Sequence, residues 1–301
     1  MNAMFVLVLA IITPMVVLVG IVTIWRKFQS RDKRRSPLTS KIHNLPGEQL
    51  RTRISDLNDN LSESLFIFIF MAPILMLVVL LSRVNLDTLN FKFIDGFALF
   101  VYLTVAIYYL IKITKAIDAR RRAKEGLAAE VITGQYLLSL LGQGCLIFHD
   151  VPAKNNIHKN DKPFNLDHVV IGPYGVFMVE TKSRKKPMAG KDSAKVDFDG
   201  KVLKFPTHFE SKPIDQTKSQ AKWLSEYLSS NLGESIAVIP VLALPGWYVQ
   251  NSISPIKSEV KVINPKNLNI FVQDKIGPKI SDIQKNRIAN ALAIRYPALD
   301  V

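Results

Sequence analysis

Asp167, Glu180 and Lys182 are the residues of this chain whose types and spacing best fit chemistry. They lie close together in the 165–182 stretch, whose two β-rich runs flank Gly172-Pro-Tyr-Gly175. Two carboxylates and an ammonium gathered at one point can trap a hard divalent cation, which takes oxygen ligands. The ammonium can then orient or activate a water, or steady negative charge developing on a phosphate. The plain alternative is a pair of solvated strand-end carboxylates with a lysine salt-bridged to them, worth little energetically. Taken alone, the three residues leave both readings open.

A β-hairpin must position them. Gly-Pro-x-Gly between two β-branched runs is a strong turn signal. With the turn centred between Pro173 and Tyr174, Ile171 faces Val176, Val169 faces Met178, and Asp167 faces Glu180. Residues two apart share a sheet face, so Lys182 falls beside Glu180. Like charges opposed across a strand pair destabilise it, so a chain that keeps them there has something to neutralise them. The basic run Arg184-Lys-Lys186 follows at once. It is either a solvated turn or a contact for phosphate.

Around this hairpin the apolar periodicity predicts a helix over about 119–141, with Glu130 beside its apolar stripe. A strand at Cys145–Phe148 and a loop over 155–162 come next. After the site, a second hairpin (196–198 and 202–205) turns at Asp199-Gly200. Pro213 opens a helix over 214–229, with Gln216 in its first turn. Strands at 236–244 and 260–263 and a closing helix over 279–294 complete an α/β domain spanning 116–301. The single cysteine, Cys145, excludes an intrachain disulfide and a Cys-based zinc cluster. The five histidines form no metal-spaced set.

The first 115 residues read differently. Stretches 1–25, 64–82 and 96–111 carry no charged side chain. They predict three transmembrane helices, at about 4–25, 65–81 and 94–112, the last lengthened by a snorkelling Lys112. A signal peptide fits the first run poorly, because it lacks a basic leader and a small-residue cleavage pattern. Loop 26–64 holds most of the early Lys and Arg, and a basic run follows Lys112. The positive-inside rule therefore puts loop 26–64 and the whole C-terminal domain in the cytoplasm, at the cell (inner) membrane, with the N-terminus outside. Segment 30–48 reads as a flexible loop and 54–64 as a short helix. The spans hold no ionisable residue, so an ion pathway has no visible support. A net charge of +14 suits a partner that is anionic, lipid or nucleic acid.

The order helix, strand, hairpin, helix, strand, together with Gly126-Leu-Ala-Ala-Glu130, Leu166-Asp167-His-Val-Val170, Val179-Glu180-Thr-Lys182 and Pro213-Ile-Asp-Gln216, resembles the nuclease-related domain (NERD) of the PD-(D/E)XK nuclease superfamily over about 122–240. That resemblance implies a restriction-endonuclease-like mixed sheet flanked by helices. It implies a catalytic set of Glu130, Asp167, Glu180, Lys182 and Gln216. Asp167, Glu180 and Glu130 would hold Mg2+ or Mn2+, and Arg184, Lys185 and Lys186 would meet the phosphate backbone. The expected activity is metal-assisted phosphodiester hydrolysis of DNA or RNA. The alternative is a module of the same fold that binds nucleic acid or a protein without cleaving.

Overall fold

A computed structural model describes residues 45–71, 73–74, 93–153, 164–188, 190, 193–254, 257–273 and 276–296. The expected span at 4–25 lies outside these residues, as do residue 72 and residues 75–81 of the expected span at 65–81. The chain divides into two compact units, Met1–Thr39 with Ser55–Arg121, and Ser40–Ile54 with Arg122–Val301.

Helix α1 runs Glu48–Phe66 and continues as a π-helical turn, Ile67–Met71, so the short helix expected at 54–64 is longer at both ends. Helix α2 is unbroken over 46 residues, Phe93–Leu138. The sequence pattern separates a span ending near 112 from a helix starting near 119. No proline falls between 93 and 138, and the charged run 115–124 is made of good helix formers, so nothing interrupts the backbone ladder. Among the described residues, one helix, Gly96–Gln143, is long and apolar enough to cross a membrane. Phe97, Phe100, Ile107 and Leu110 on it are exposed.

The second unit is a mixed α/β domain. Its main sheet has the order β1-β2-β3-β7-β9, built from Leu146–Ala153, Phe164–Gly172, Gly175–Thr181, Val238–Ala243 and Lys261–Ile263. The β1-β2-β3 edge is antiparallel, while β3, β7 and β9 run parallel. A smaller sheet, β6-β5-β4-β8, is built from Phe209–Glu210, Leu203–Lys204, Lys195–Phe198 and Tyr248–Asn251. Helices α3 (Lys212–Leu232), α4 (Asn269–Val272) and α5 (Asp282–Ala293) complete the domain. Strands β6 and β8 and helix α4, none longer than four residues, have no counterpart in the sequence pattern.

Every residue of β3 is buried, as expected of a strand covered on both faces. One face packs Val169, Ile171, Val176 and Met178 under Leu224 and Leu228 of α3 and Ile288 and Leu292 of α5. The other packs Val170, Phe177 and Val179 under Leu137, Leu140 and Phe271. Pro213 at its start and Gly233 at its end (φ 70°) fix the limits of α3. Gly172 is required at the hairpin turn, because a Cβ there would sit 2.4 Å from the carbonyl oxygen of Phe271.

Candidate active site

The β2–β3 register matches the sequence expectation for Val169↔Met178 and Ile171↔Val176, and the ladder closes at His168↔Val179. One step beyond, the Asp167 side chain takes over: its Oδ2 accepts the Thr181 backbone N–H at 2.7 Å. Asp167 thus crosses toward β3 at the strand end that carries Glu180 and Lys182. The face alternation slips here on two neighbouring strands. Phe148 and Val151 of β1, and Leu166 and Val169 of β2, pack on the same core although each pair is three residues apart. Asp150 stands at the slip in β1 with φ 50°, a left-handed conformation that Asp tolerates better than most residues.

Glu180 is buried, only 2% exposed. Its Oε1 accepts from Lys182 Nζ and, at 2.8 Å, from Gln216 Nε2 at the start of α3. Its Oε2 is buried with no hydrogen-bond partner. A buried carboxylate oxygen left unpaired is costly and needs a reason, such as an ion or water it is built to meet.

Glu130 comes from α2 and reaches the same place. Burial is the main force pushing its pKa up to about 8, helped by the charges of Asp150 and Glu180 and opposed by Lys182. Burial likewise holds the Asp167 carboxyl well above the usual range. Glu180 and Glu130 add to that, while the Thr181 N–H and Lys182 pull the other way. Glu130, Asp167 and Glu180 therefore feel one another beside the Lys182 ammonium, and Asp150 acts on Glu130. Segment 45–50 closes over Glu130: a Cβ on Gly47 (φ 74°) would lie 2.4 Å from Leu127 and 3.2 Å from Glu130 Oε2. Gln49 N–H donates to Asp150 Oδ2 at 3.0 Å, and Asn165 Nδ2 donates to Oδ1 at 2.9 Å.

The expected polar set Glu130, Asp167, Glu180, Lys182 and Gln216 is thus brought together. Gln216 holds Glu180, the same oxygen that Lys182 holds. The basic triplet is placed less simply. Arg184 is engaged twice by Glu210, at 2.8 and 2.6 Å, and Lys185 pairs with Glu125 at 3.1 Å. Lys186 lies over the Trp247 ring, 5.9 Å from its centre.

Sequence reasoning missed Asp150 and the histidines beside it. His149 and His168 meet through their Nδ1 atoms at 2.8 Å, in the interior. Burial pushes His149 down to about 4, and burial followed by the neighbouring imidazole pushes His168 down too. Both are neutral at pH 7, one Nδ1–H donating to the other Nδ1, so they add no charge behind the carboxylates. No pattern within β1 marks Asp150, because its place comes from the slip it shares with Asp167 on the neighbouring strand.

The donor chemistry fits a hard divalent ion. An unpaired oxygen on Glu180, an adjacent Asp167, and carboxyls driven toward protonation by burial and by one another would all be relieved by one. Among the described residues, no group of three or more His, Cys, Asp or Glu side chains is arranged to hold a metal ion. Mg2+ does not need such a group, since it commonly keeps several waters and takes one or two protein carboxylates.

The second unit is a mixed sheet with helices on both faces, carrying an Asp and a Glu-x-Lys at adjoining strand ends. The family model for the nuclease-related domain, NERD, matches residues 125–245, which include all five polar residues of the site. No curated protein and no solved structure matches the chain.

Proposed function

We propose that this protein is a membrane-anchored, metal-dependent phosphodiesterase acting on DNA or RNA, with its nuclease-related domain on the cytoplasmic side of the cell (inner) membrane. One observation carries the catalytic part: the buried Glu180, with Lys182 and Gln216 on one oxygen and nothing on the other, beside Asp167 and Glu130. Asp167 and Glu180 would hold Mg2+ or Mn2+, with Glu130 as the third member of the expected set. A bound ion would supply Lewis-acid polarisation of the phosphate and a more acidic water. Lys182 places an ammonium where negative charge grows on the phosphate. Gln216 fixes the Glu180 carboxylate, so that its second oxygen stays turned to the site. Glu130, protonated near neutral pH, offers a hydrogen bond rather than a third negative charge. The anchoring part is supported by the exposed apolar stretch of α2 and the basic residues that follow it.

The test uses the full-length protein in detergent, incubated with plasmid, single-stranded DNA and RNA in Mg2+ or Mn2+. Metal-dependent cleavage that is lost in Asp167→Ala and Lys182→Ala is expected. Preparations in which wild type and both variants bind alike and none cleaves would remove the hydrolase. A second reading, a binding module without hydrolysis, is favoured by the close Lys182–Glu180 ion pair, which already neutralises one carboxylate without a metal. A reporter fused after Val301 tests the topology, and periplasmic activity would contradict it.

A further inference from the structure

Strands β3, β7 and β9 run parallel, so their carboxyl ends open on one side of the sheet. Crevices beyond the carboxyl ends of parallel strands are where open α/β sheets place ligands. A groove of about 410 Å³ lies there. Its walls are Ser183 after β3, Gly246 after β7, and Asn264 and Lys266 after β9; its floor is the 125–136 face of α2, ending at Tyr136. Ser183 follows Lys182 in the chain, so the groove lies at the strand end that carries the site, although none of the site's carboxylates lines it. Gly246 keeps this wall low, and the Lys186 ammonium lies 3.9 Å from where its Cβ would be. Neither Lys186 nor Lys266 has an ion pair among the described residues, whereas Lys185 and Arg184 do. The Asn264–Lys266 turn also borders a cavity of about 500 Å³ on its far side, which includes the exposed Tyr248.

A groove of this volume is the size of a small-ligand pocket (~300–1,000 Å³) and admits a nucleotide or two of one strand, not a duplex. Unpaired ammonium groups beside an aromatic ring are the elements that hold single strands: charge follows the backbone, and the ring takes a base face of any identity.

We propose that this groove holds a single nucleic-acid strand on one side of the scissile phosphate, with Tyr136 stacking on a base and Lys266 and Lys186 holding the flanking phosphates. The strand's course to a scissile phosphate rests on the phosphodiesterase reading, whereas binding in the groove does not. Tyr136 and Lys266 are positioning residues. They touch the strand away from the reacting atoms and set where it lies.

The experiment is fluorescence anisotropy with the full-length protein in detergent, a labelled twelve-residue oligo-dT and EDTA to prevent cleavage. Tyr136→Ala is expected to weaken binding about tenfold, with Tyr136→Phe close to wild type. Lys266→Ala should weaken binding and lower the slope of log K against log salt by about 0.7, the loss of one single-strand phosphate contact, while Tyr136→Ala leaves that slope alone. A blunt duplex should compete poorly. Lys266 is exposed, so its variant carries the test if Tyr136→Ala costs the fold. Wild-type affinity in both variants, no oligo-dT binding by wild type, or a duplex that competes equally well would overturn the proposal. Binding lost in the variants with no cleavage by wild type in any metal would keep the groove and sink the hydrolase. Cleavage with unchanged binding would do the reverse.

Discussion

The two ends of the β2–β3 hairpin follow opposite rules. At the turn end, Val170, Ile171, Val176 and Phe177 are fully buried in apolar cores, and the backbone ladder is regular. At the open end, 10–15 Å along the same strands by ~3.3 Å per residue, Asp167 and Glu180 sit against Glu130 and Asp150, one buried oxygen is unpaired and the face alternation slips. The closed end supplies the rigidity that lets the open end keep its repulsion. Proteins commonly place destabilised groups where chemistry requires them and offset the cost elsewhere. Changes at the two ends should therefore separate activity from stability.

The largest expected effect is at the open end. Asp167→Asn keeps an oxygen for the Thr181 N–H but removes a carboxyl that burial, Glu180 and Glu130 all disfavour. Cleavage should fall by about 10³-fold, the scale of losing one essential electrostatic group. The metal-free protein should melt at the same temperature or higher. A lower melting temperature together with retained activity would erase the contrast between the ends. Next in size is Phe177→Ala at the closed end. It empties the ring's place against Phe271, 5.0 Å between centroids, and should cost about 3–5 kcal/mol. That corresponds to a fall of roughly 10 °C by calorimetry, at ~2–4 °C per kcal/mol in a domain this size, with the activity per folded molecule kept.

How much of this was legible follows the same division. The Gly172-Pro-Tyr-Gly175 turn and its strands could be read because turn residues are local, and one face pattern then forces the register. Helix α3 could be read from Pro213 and the Ile214–Leu228 stripe. Asp150 could not, because its role comes from a face slip shared with Asp167 on the neighbouring strand, and no single-strand pattern records that. The approach of Pro46 and Gly47 to α2 was equally hidden: Gly134 admits the Pro46 ring only because it has no Cβ, a contact across some ninety residues of chain. Arg184 looked like a free phosphate contact, but its partner Glu210 sits on the small sheet, and local charge patterning does not see that distance. The residue types of the site were visible, whereas their mutual burial, which sets their protonation, was not.

Glu130 sharpens the comparison through pH. Its folded pKa is raised, to about 8 against 4.5 for the ordinary group. Between these values the folded state binds the extra proton, so stability from this group is full below about pH 4.5 and is lost as pH rises toward 8. Glu130→Gln removes that slope. In EDTA the variant should match wild type near pH 4.5 and melt about 5 °C higher at pH 8.5, a figure that assumes only part of the shift survives solvent screening. Parallel melting curves for the two proteins across that range would show that neither burial nor the charges of Asp150 and Glu180 raise the Glu130 pKa.

The smallest effect is the most telling about the site's purpose. A divalent ion bound only by the folded state stabilises it by RT ln(1 + [L]/Kd), about 1.4 kcal/mol at tenfold excess over Kd, or some 3–5 °C here. Mg2+ at pH 8 should therefore raise the wild-type melting temperature by about that amount. The rise should vanish in Asp167→Asn, which lacks a ligand. In Glu130→Gln it should be smaller than in wild type, because ion and substitution relieve the same crowding of negative charge and neighbouring effects of this kind do not add. Full additivity of Mg2+ and Glu130→Gln would mean that the ion settles away from Glu130, leaving Asp167 and Glu180 to hold it alone. An equal rise in all three proteins would place it outside the hairpin end altogether.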